Sequence, residues 1–208
     1  SMSCRVKFCG LTRADDARFA SEVCRADYLG FIFAPGTPRR VDPESLATWI
    51  EGVRGDAEVV GVFRDQPVDE VVAAIDRFDL DFVQLHGRES GRDWKRLPVR
   101  MLEARIVDDA LPPARFAGAA WAHVLDAGAG SGRTFDWSAA VEIARSERVF
   151  LAGGLEPGNV AGAIRQVRPF AVDVASGVEA ATGVKDHDKM RRFVEAVRAA
   201  ENPREESA

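Results

Sequence analysis

Two neighbouring stretches decide the fold: Val149–Val160, VFLAGGLEPGNV, and Ala171–Asp186, AVDVASGVEAATGVKD. Val149–Ala152 is a short apolar run that stops at Gly153-Gly154, and Pro157 beyond it suits the first turn of a helix, where its missing N–H is not needed. Ala171–Val174 repeats the pattern and stops at Ser176-Gly177. Strand exits that are rich in glycine and carry a hydroxyl let bare backbone N–H groups point at a phosphate. Either exit alone reads equally well as a tight turn. Two in succession, at the end of a strand and helix alternation, favour a phosphate grip.

Outward from this pair, β-type runs recur at Arg5–Phe8, Tyr28–Phe33, Ala57–Phe63, Asp81–Leu85, Val99–Ala104 and His123–Leu125, with amphipathic stretches between them. With the final two runs this makes eight βα units at intervals of roughly two dozen residues, the alternation expected of a closed (β/α)8 barrel of class α/β with short loops. The barrel should occupy residues 1–200, with 201–208 a polar tail. Thr12-Arg13-Ala14-Asp15 has the capping-box pattern, Asp42-Pro43 and Asp136-Trp137 place a cap before a helical run, and Asp186 opens the last helix. An open doubly wound sheet would also alternate, but its usual GxGxxG after the first strand is missing.

A chain of 208 residues, 46% hydrophobic and 29% charged, has material for one core. No run approaches the length of a membrane span and no signal-peptide layout opens the chain, so a cytoplasmic location is expected. A net charge of −5 argues against nucleic acid and makes the binding of an anionic substrate depend on local donors. Cys4, Cys9 and Cys24 show neither metal-ligand nor disulfide spacing, and His86, His123 and His187 are scattered, so no metal site is expected.

The ends of the runs then supply candidate chemistry. Side chains alternate, so Val6 and Phe8 suit the helix layer while Lys7 and Cys9 point into the barrel, with Cys9 last before the loop. A nearby lysine would favour its thiolate; Cys4 and Cys24 read as small buried groups. Arg39 and Arg40 on the second loop suit a carboxylate, or a solvated turn. Gln84 and His86 share a face at the mouth. Asp126 closes an apolar strand above a glycine-rich loop, where a carboxyl can exchange protons. Asp173, inside the eighth run, should pair with Lys7 beneath the site as a structural contact.

The order KFCGLT, GFIFAPGTPRRV, VGVF, VQLHG, LDA with GSGRTFDW, LAGGLEPGNV, VDVASGVE and GVKD resembles the phosphoribosylanthranilate isomerase family over nearly the whole chain. The resemblance implies an aldose–ketose isomerase of tryptophan biosynthesis, a monomer or homodimer that acts on a small phosphorylated substrate by an Amadori rearrangement without cofactor. It makes Cys9 the general base and Asp126 the general acid, associates Arg39 with the anthranilate carboxylate, matches His86 to the family histidine, and gives Gly153, Gly154, Ser176 and Gly177 the phosphate. The scheme asks for a raised carboxyl pKa and a lowered thiol pKa. Ala129, Glu156 and Ala175 depart from the family pattern, as does Glu103, which stands where a lysine is often found and has no evident reason in the sequence. Alternatives are the histidine-pathway aminoaldose isomerase, usually associated with an aspartate in place of Cys9, and a noncatalytic phosphate-binding barrel.

Overall fold

In the computed structural model of the chain, residues 3–107, 110–127 and 136–201 are described. Eight parallel strands close in sequence order: β1 (Arg5–Phe8), β2 (Tyr28–Ile32), β3 (Glu58–Phe63), β4 (Phe82–Leu85), β5 (Arg100–Ile106), β6 (Ala122–Asp126), β7 (Val149–Ala152) and β8 (Ala171–Val174). Closure falls to β1, in which Lys7 lies opposite Tyr28 of β2 and Asp173 of β8. A closed barrel excludes the open-sheet alternative. The expected strand ends hold within two residues, and β6 takes in Asp126 as its last residue.

Alternation divides the buried side chains into two layers. Val6, Phe8, Leu29, Val59, Leu125 and Val172 face outward into the layer that the helices cover, while Cys9, Tyr28, Val60, Phe82, Val124 and Phe150 face the barrel axis. The lower end of the barrel is filled by aromatic rings. Tyr28 meets Phe82 edge-on at 5.7 Å between centroids, and Trp121 sits 5.1 Å from Phe82 and 5.4 Å from Phe170. This plug leaves the upper end, where the strands deliver their C-terminal residues, as the open one.

Helices α1 (Ala14–Arg18), α2 (Pro43–Val53), α3 (Val68–Phe78), α4 (Ser138–Ala144), α5 (Val160–Val167) and α6 (His187–Glu201) form the outer ring. α2 buries Leu46, Ile50 and Val53, one apolar stripe at helical spacing, and Asp42 caps it by accepting from Glu44 N at 3.1 Å. Asp136 accepts from Ser138 N and Asp186 from Lys189 N, as their positions suggested.

Several expectations need correction. Thr12 does not cap α1; its hydroxyl donates to Gly183 O at 2.6 Å and so ties the first loop to the last. Pro157 lies in a turn, and α5 begins at Val160. The βα alternation is incomplete among the described residues: a 3₁₀ turn (Trp94–Arg96) is the only helix between β4 and β5, and none lies between β5 and β6. Gly87, Gly91 and Pro98 interrupt the first of these connections and Pro112-Pro113 and Gly118 the second, so neither sustains an α-helix. A small hairpin, β9 (Glu179–Ala181) with β10 (Val184–Lys185), follows β8 and was not anticipated. Cys24 is buried, whereas Cys4 is only half-buried. The polar tail, apart from Glu201, and the glycine-rich segment after Ala127, including Ala129, lie outside the described residues.

Candidate active site

A cavity of about 400 Å³ opens at the C-terminal ends of the strands. Its wall takes Cys9 from the end of β1, Arg39 from the loop after β2, His86 after β4, Asp126 from β6, Gly153 and Gly154 after β7, and Ser176 and Gly177 after β8. All eight candidate residues therefore meet at one space, although they come from six different strand exits.

The floor is a polar chain across the barrel axis. Lys7, wholly buried, donates to Asp173 Oδ2 at 2.9 Å and to Gln84 Oε1 at 2.6 Å, and Gln84 Nε2 lies 2.5 Å from His86 Nε2. Because the amide oxygen serves Lys7, the amide nitrogen must donate, and His86 must accept on an unprotonated Nε2. The electrostatics agree, since burial and the positive charges of Lys7, Arg115 and Arg64 draw His86 down to about 4. The Lys7–Asp173 pair takes the structural place foreseen for it.

Cys9 is 8% exposed. A side-chain carbon on Gly30 of β2 would stand 2.8 Å from its sulfur, so the bare backbone of β2 is what gives the thiol its seat. The expectation that a nearby lysine would hold it as thiolate is not met. Burial pushes the thiol up, and the opposing charges of Lys7 and Lys185 do not offset that.

The phosphate candidates are set by contact between two loops. Gly153 and Gly154 take φ of +91° and +62°, turning the chain sharply off β7. A carbon added to Gly177 would fall 1.8 Å from Leu155 O, so the loops after β7 and β8 cross backbone to backbone. Asn159 pins the first loop by accepting from Glu156 N and donating to Gly154 O. Only the backbone of Glu156 is used there, and Lys185 likewise uses the carbonyl of Ala175, so both departures from the family pattern leave these contacts intact.

Arg39 holds a protein carboxylate. Its Nε and Nη2 fork onto Glu179 at 2.6–3.1 Å, and Glu179 is also held by Gly183 N at 3.1 Å and by Lys185 Nζ at 3.6 Å. Burial opposes the charge on Glu179, but these partners hold it below the usual carboxylate range. Lys185, with a fully buried side chain, donates to Cys9 O at 2.7 Å and Ala175 O at 2.9 Å, fastening β1 to β8 behind the thiol. The sequence reading assigned no role to Glu179 or Lys185; a lysine and a glutamate inside VDVASGVE and GVKD were the available signal. Glu103 finds its reason here. Wholly buried, it accepts from Arg115 N and Phe116 N at 2.9 Å each and so braces the loop after β5, while Arg115 reaches Glu89 at 3.3 Å and Leu85 O at 2.9 Å.

Fold and site together define a (β/α)8 barrel whose upper face carries one cavity built from a thiol, a carboxyl, an imidazole and two glycine-rich strand exits. A family model described as N-(5'phosphoribosyl)anthranilate (PRA) isomerase matches residues 6–196, and the chain belongs to that family. An N-(5'-phosphoribosyl)anthranilate isomerase of Geobacter sp. (strain M21) is 42% identical over 200 residues, covering 91% of this chain and 96% of its own. The crystal structure of phosphoribosyl anthranilate isomerase from Thermus thermophilus superposes with a TM-score of 0.81 at 38% identity, over 94% of this chain and 98% of that one. Another solved isomerase, in complex with reduced 1-(o-carboxyphenylamino)-1-deoxyribulose 5-phosphate, is 32% identical with a TM-score of 0.80, covering 94% and 99%.

Proposed function

We propose that this chain converts N-(5′-phosphoribosyl)anthranilate into 1-(o-carboxyphenylamino)-1-deoxyribulose 5-phosphate, with Cys9 as general base and Asp126 as general acid. The observation that carries the reading is the meeting of Cys9, Asp126 and the paired exits of β7 and β8 around one cavity. Asp126 gives a proton to the ribose ring oxygen as the C1′–O bond breaks, and the nitrogen lone pair forms the C1′=N bond of a cationic Schiff base. That cation acidifies the C2′ proton, which the Cys9 sulfur removes. The enolamine then takes a proton at C1′ and loses one from its C2′ hydroxyl, giving the ketose. Electrons and protons are only redistributed within the sugar, so an acid and a base suffice. The thiol must ionise to act, and Lys7 and Lys185 are the cations beside which it would do so. Backbone donors at Gly153, Gly154, Ser176 and Gly177 hold the phosphate away from the bonds that change and keep the sugar in register. His86, neutral, lines the wall as an uncharged polar contact.

The bis-phosphorylated substrate of the histidine pathway would need a second grip opposite the first, at the exits of β3 and β4. There Glu89 already takes the N–H groups of Asp65 and Gly87 at 2.6 and 2.7 Å, and Asp65 takes that of Arg88 at 2.6 Å. Carboxylates capping those donors repel a phosphate, which favours the singly phosphorylated substrate. The test is to follow anthranilate fluorescence as purified protein meets freshly made phosphoribosylanthranilate. Protein-dependent decay is expected with this compound, and no protein-dependent change in the absorbance of the histidine precursor, which has no anthranilate; decay no faster than spontaneous hydrolysis would remove the proposal.

A further inference from the structure

We infer that Lys185 is a positioning residue for Cys9: it fixes the end of β1 and supplies the positive charge against which the thiolate forms, a role that rests on the function proposed above. Lys185 belongs to β10, in the hairpin after β8, and its backbone N–H is anchored on the buried Asp16 of α1 at 3.0 Å. Its ammonium carries three N–H groups, and three oxygens lie within 3.6 Å of it: Cys9 O, Ala175 O and Glu179 Oε2. A neutral amine would turn its lone pair toward one of those oxygens, so the ammonium is the form that this site accommodates. Cys9 is thereby held at both of its backbone groups, since its N–H donates to Val174 O at 2.9 Å while its carbonyl accepts from Lys185.

The charges near the thiol fall into two sets. Lys7 is matched by Asp173 at 2.9 Å, so one cation meets one carboxylate. In the second set Glu179 takes the fork of Arg39 and lies 3.6 Å from Lys185, so two cations share one carboxylate and a single positive charge is left over. Arg39 stands at the cavity wall with 26% of its side chain exposed, whereas the Lys185 side chain is fully buried behind the backbone of Cys9. A charge kept from water acts on its neighbours with less screening. Burial pushes the Cys9 thiol up; Lys7 and Lys185 pull it down, Asp173 pushes it up, and Arg39 faces it as well. Burial also draws Lys185 below the usual lysine range, against Glu179 and the thiol, which favour its charge. For Cys9 to act, its S–H proton leaves to solvent through the cavity, and the negative charge that remains on sulfur is offset by the surplus cation.

The experiment follows alkylation of Cys9 by iodoacetamide, in which the thiolate forms the S–C bond and iodide leaves, across about pH 6 to 10. It uses the full chain as wild type, Lys185→Met and Glu179→Gln, and mass spectrometry of the peptide that carries Cys9 separates it from Cys4 and Cys24. Lys185→Met removes the surplus charge, so its profile should move to higher pH, with alkylation near pH 7 slowed about tenfold or more. Glu179→Gln enlarges the surplus at nearly constant shape, so its profile should move to lower pH, with alkylation near pH 7 at least about threefold faster. A change in access alone would alter the rate at every pH and leave the midpoint in place. Any result other than these two opposite displacements overturns the assignment. Should Lys185→Met fail to fold, Glu179→Gln decides alone: a profile displaced to lower pH supports the role, and one unmoved or displaced upward overturns it. If wild-type protein turns over phosphoribosylanthranilate while the displacements are absent, the function stands and Lys185 falls. Absence of turnover beside the expected displacements removes the function and leaves the effect of Lys185 on the thiol standing.

Discussion

At the scale of single residues, the site depends on side chains whose charge state is set by what surrounds them. Cys9 is held as a thiol by burial and Lys7 stays charged between Asp173 and Gln84, while His86 must stay neutral to accept from Gln84. With Cys9 as the proposed base and Asp126 as the proposed acid, removing either should lower turnover without loosening the ligand. Cys9→Ala and Asp126→Asn should each reduce kcat by about 10²–10⁴, while the affinity for a product analogue changes little. Steady-state kinetics beside calorimetry checks this, and normal turnover by either variant would strip that residue of its role. Cys9, Asp126 and Lys7 were legible in the sequence because a period of two says which strand residues face inward, and the last inward residue of a barrel strand stands at the mouth.

At the scale of elements, loops are fixed by contacts that a linear reading does not contain. Gly177 crosses Leu155 O so closely that even a methyl group cannot be placed without separating the two loops. Gly177→Ala should raise KM for the phosphorylated substrate at least about tenfold with a smaller effect on kcat, since the proposed phosphate grip is remote from the reacting bonds. An unchanged KM would show that the crossing is not needed for phosphate. Glu103 makes a different contribution, to stability. Glu103→Gln turns one acceptor oxygen into a donor that faces Arg115 N or Phe116 N, and should cost about 2–4 kcal/mol. Urea denaturation would read this as a lower midpoint at unchanged slope; a midpoint within error of wild type would refute the bracing role. Neither contact was legible, because Glu103 serves a loop 12 and 13 residues away and Gly177 touches one more than twenty residues back.

At the scale of the whole molecule, the polar chain from β8 through β1 to β4 couples stability to pH. His86 ordinarily titrates near 6.5 and in the fold near 4, so between those values the unfolded chain binds the extra proton and the native state does not. Stability is then lost as pH falls from about 6.5 toward 4, by up to about 3 kcal/mol for this group. Glu179 adds a loss at lower pH, because its folded pKa is depressed and its contribution disappears as pH drops through that value. Chemical denaturation at pH 7 and pH 5 should show the first slope in the wild type and a flatter one in His86→Gln. Equal slopes would mean that His86 is already free to protonate in the native state.

The eight strand runs, the inward residues of β1 and β4 and the glycine-rich exits were determined by the sequence alone, because they follow from short-range periodicity and from residue types at fixed spacing, and the order of the motifs pointed to the family. Tertiary structure alone decided that Arg39 faces Glu179, that Lys185 fastens Cys9 from 176 residues away, and that Glu103 has partners. The physical reason is the closing of the barrel. It brings β8 beside β1 and buries their charges together, and whether a buried charge has a partner depends on distances in space rather than along the chain.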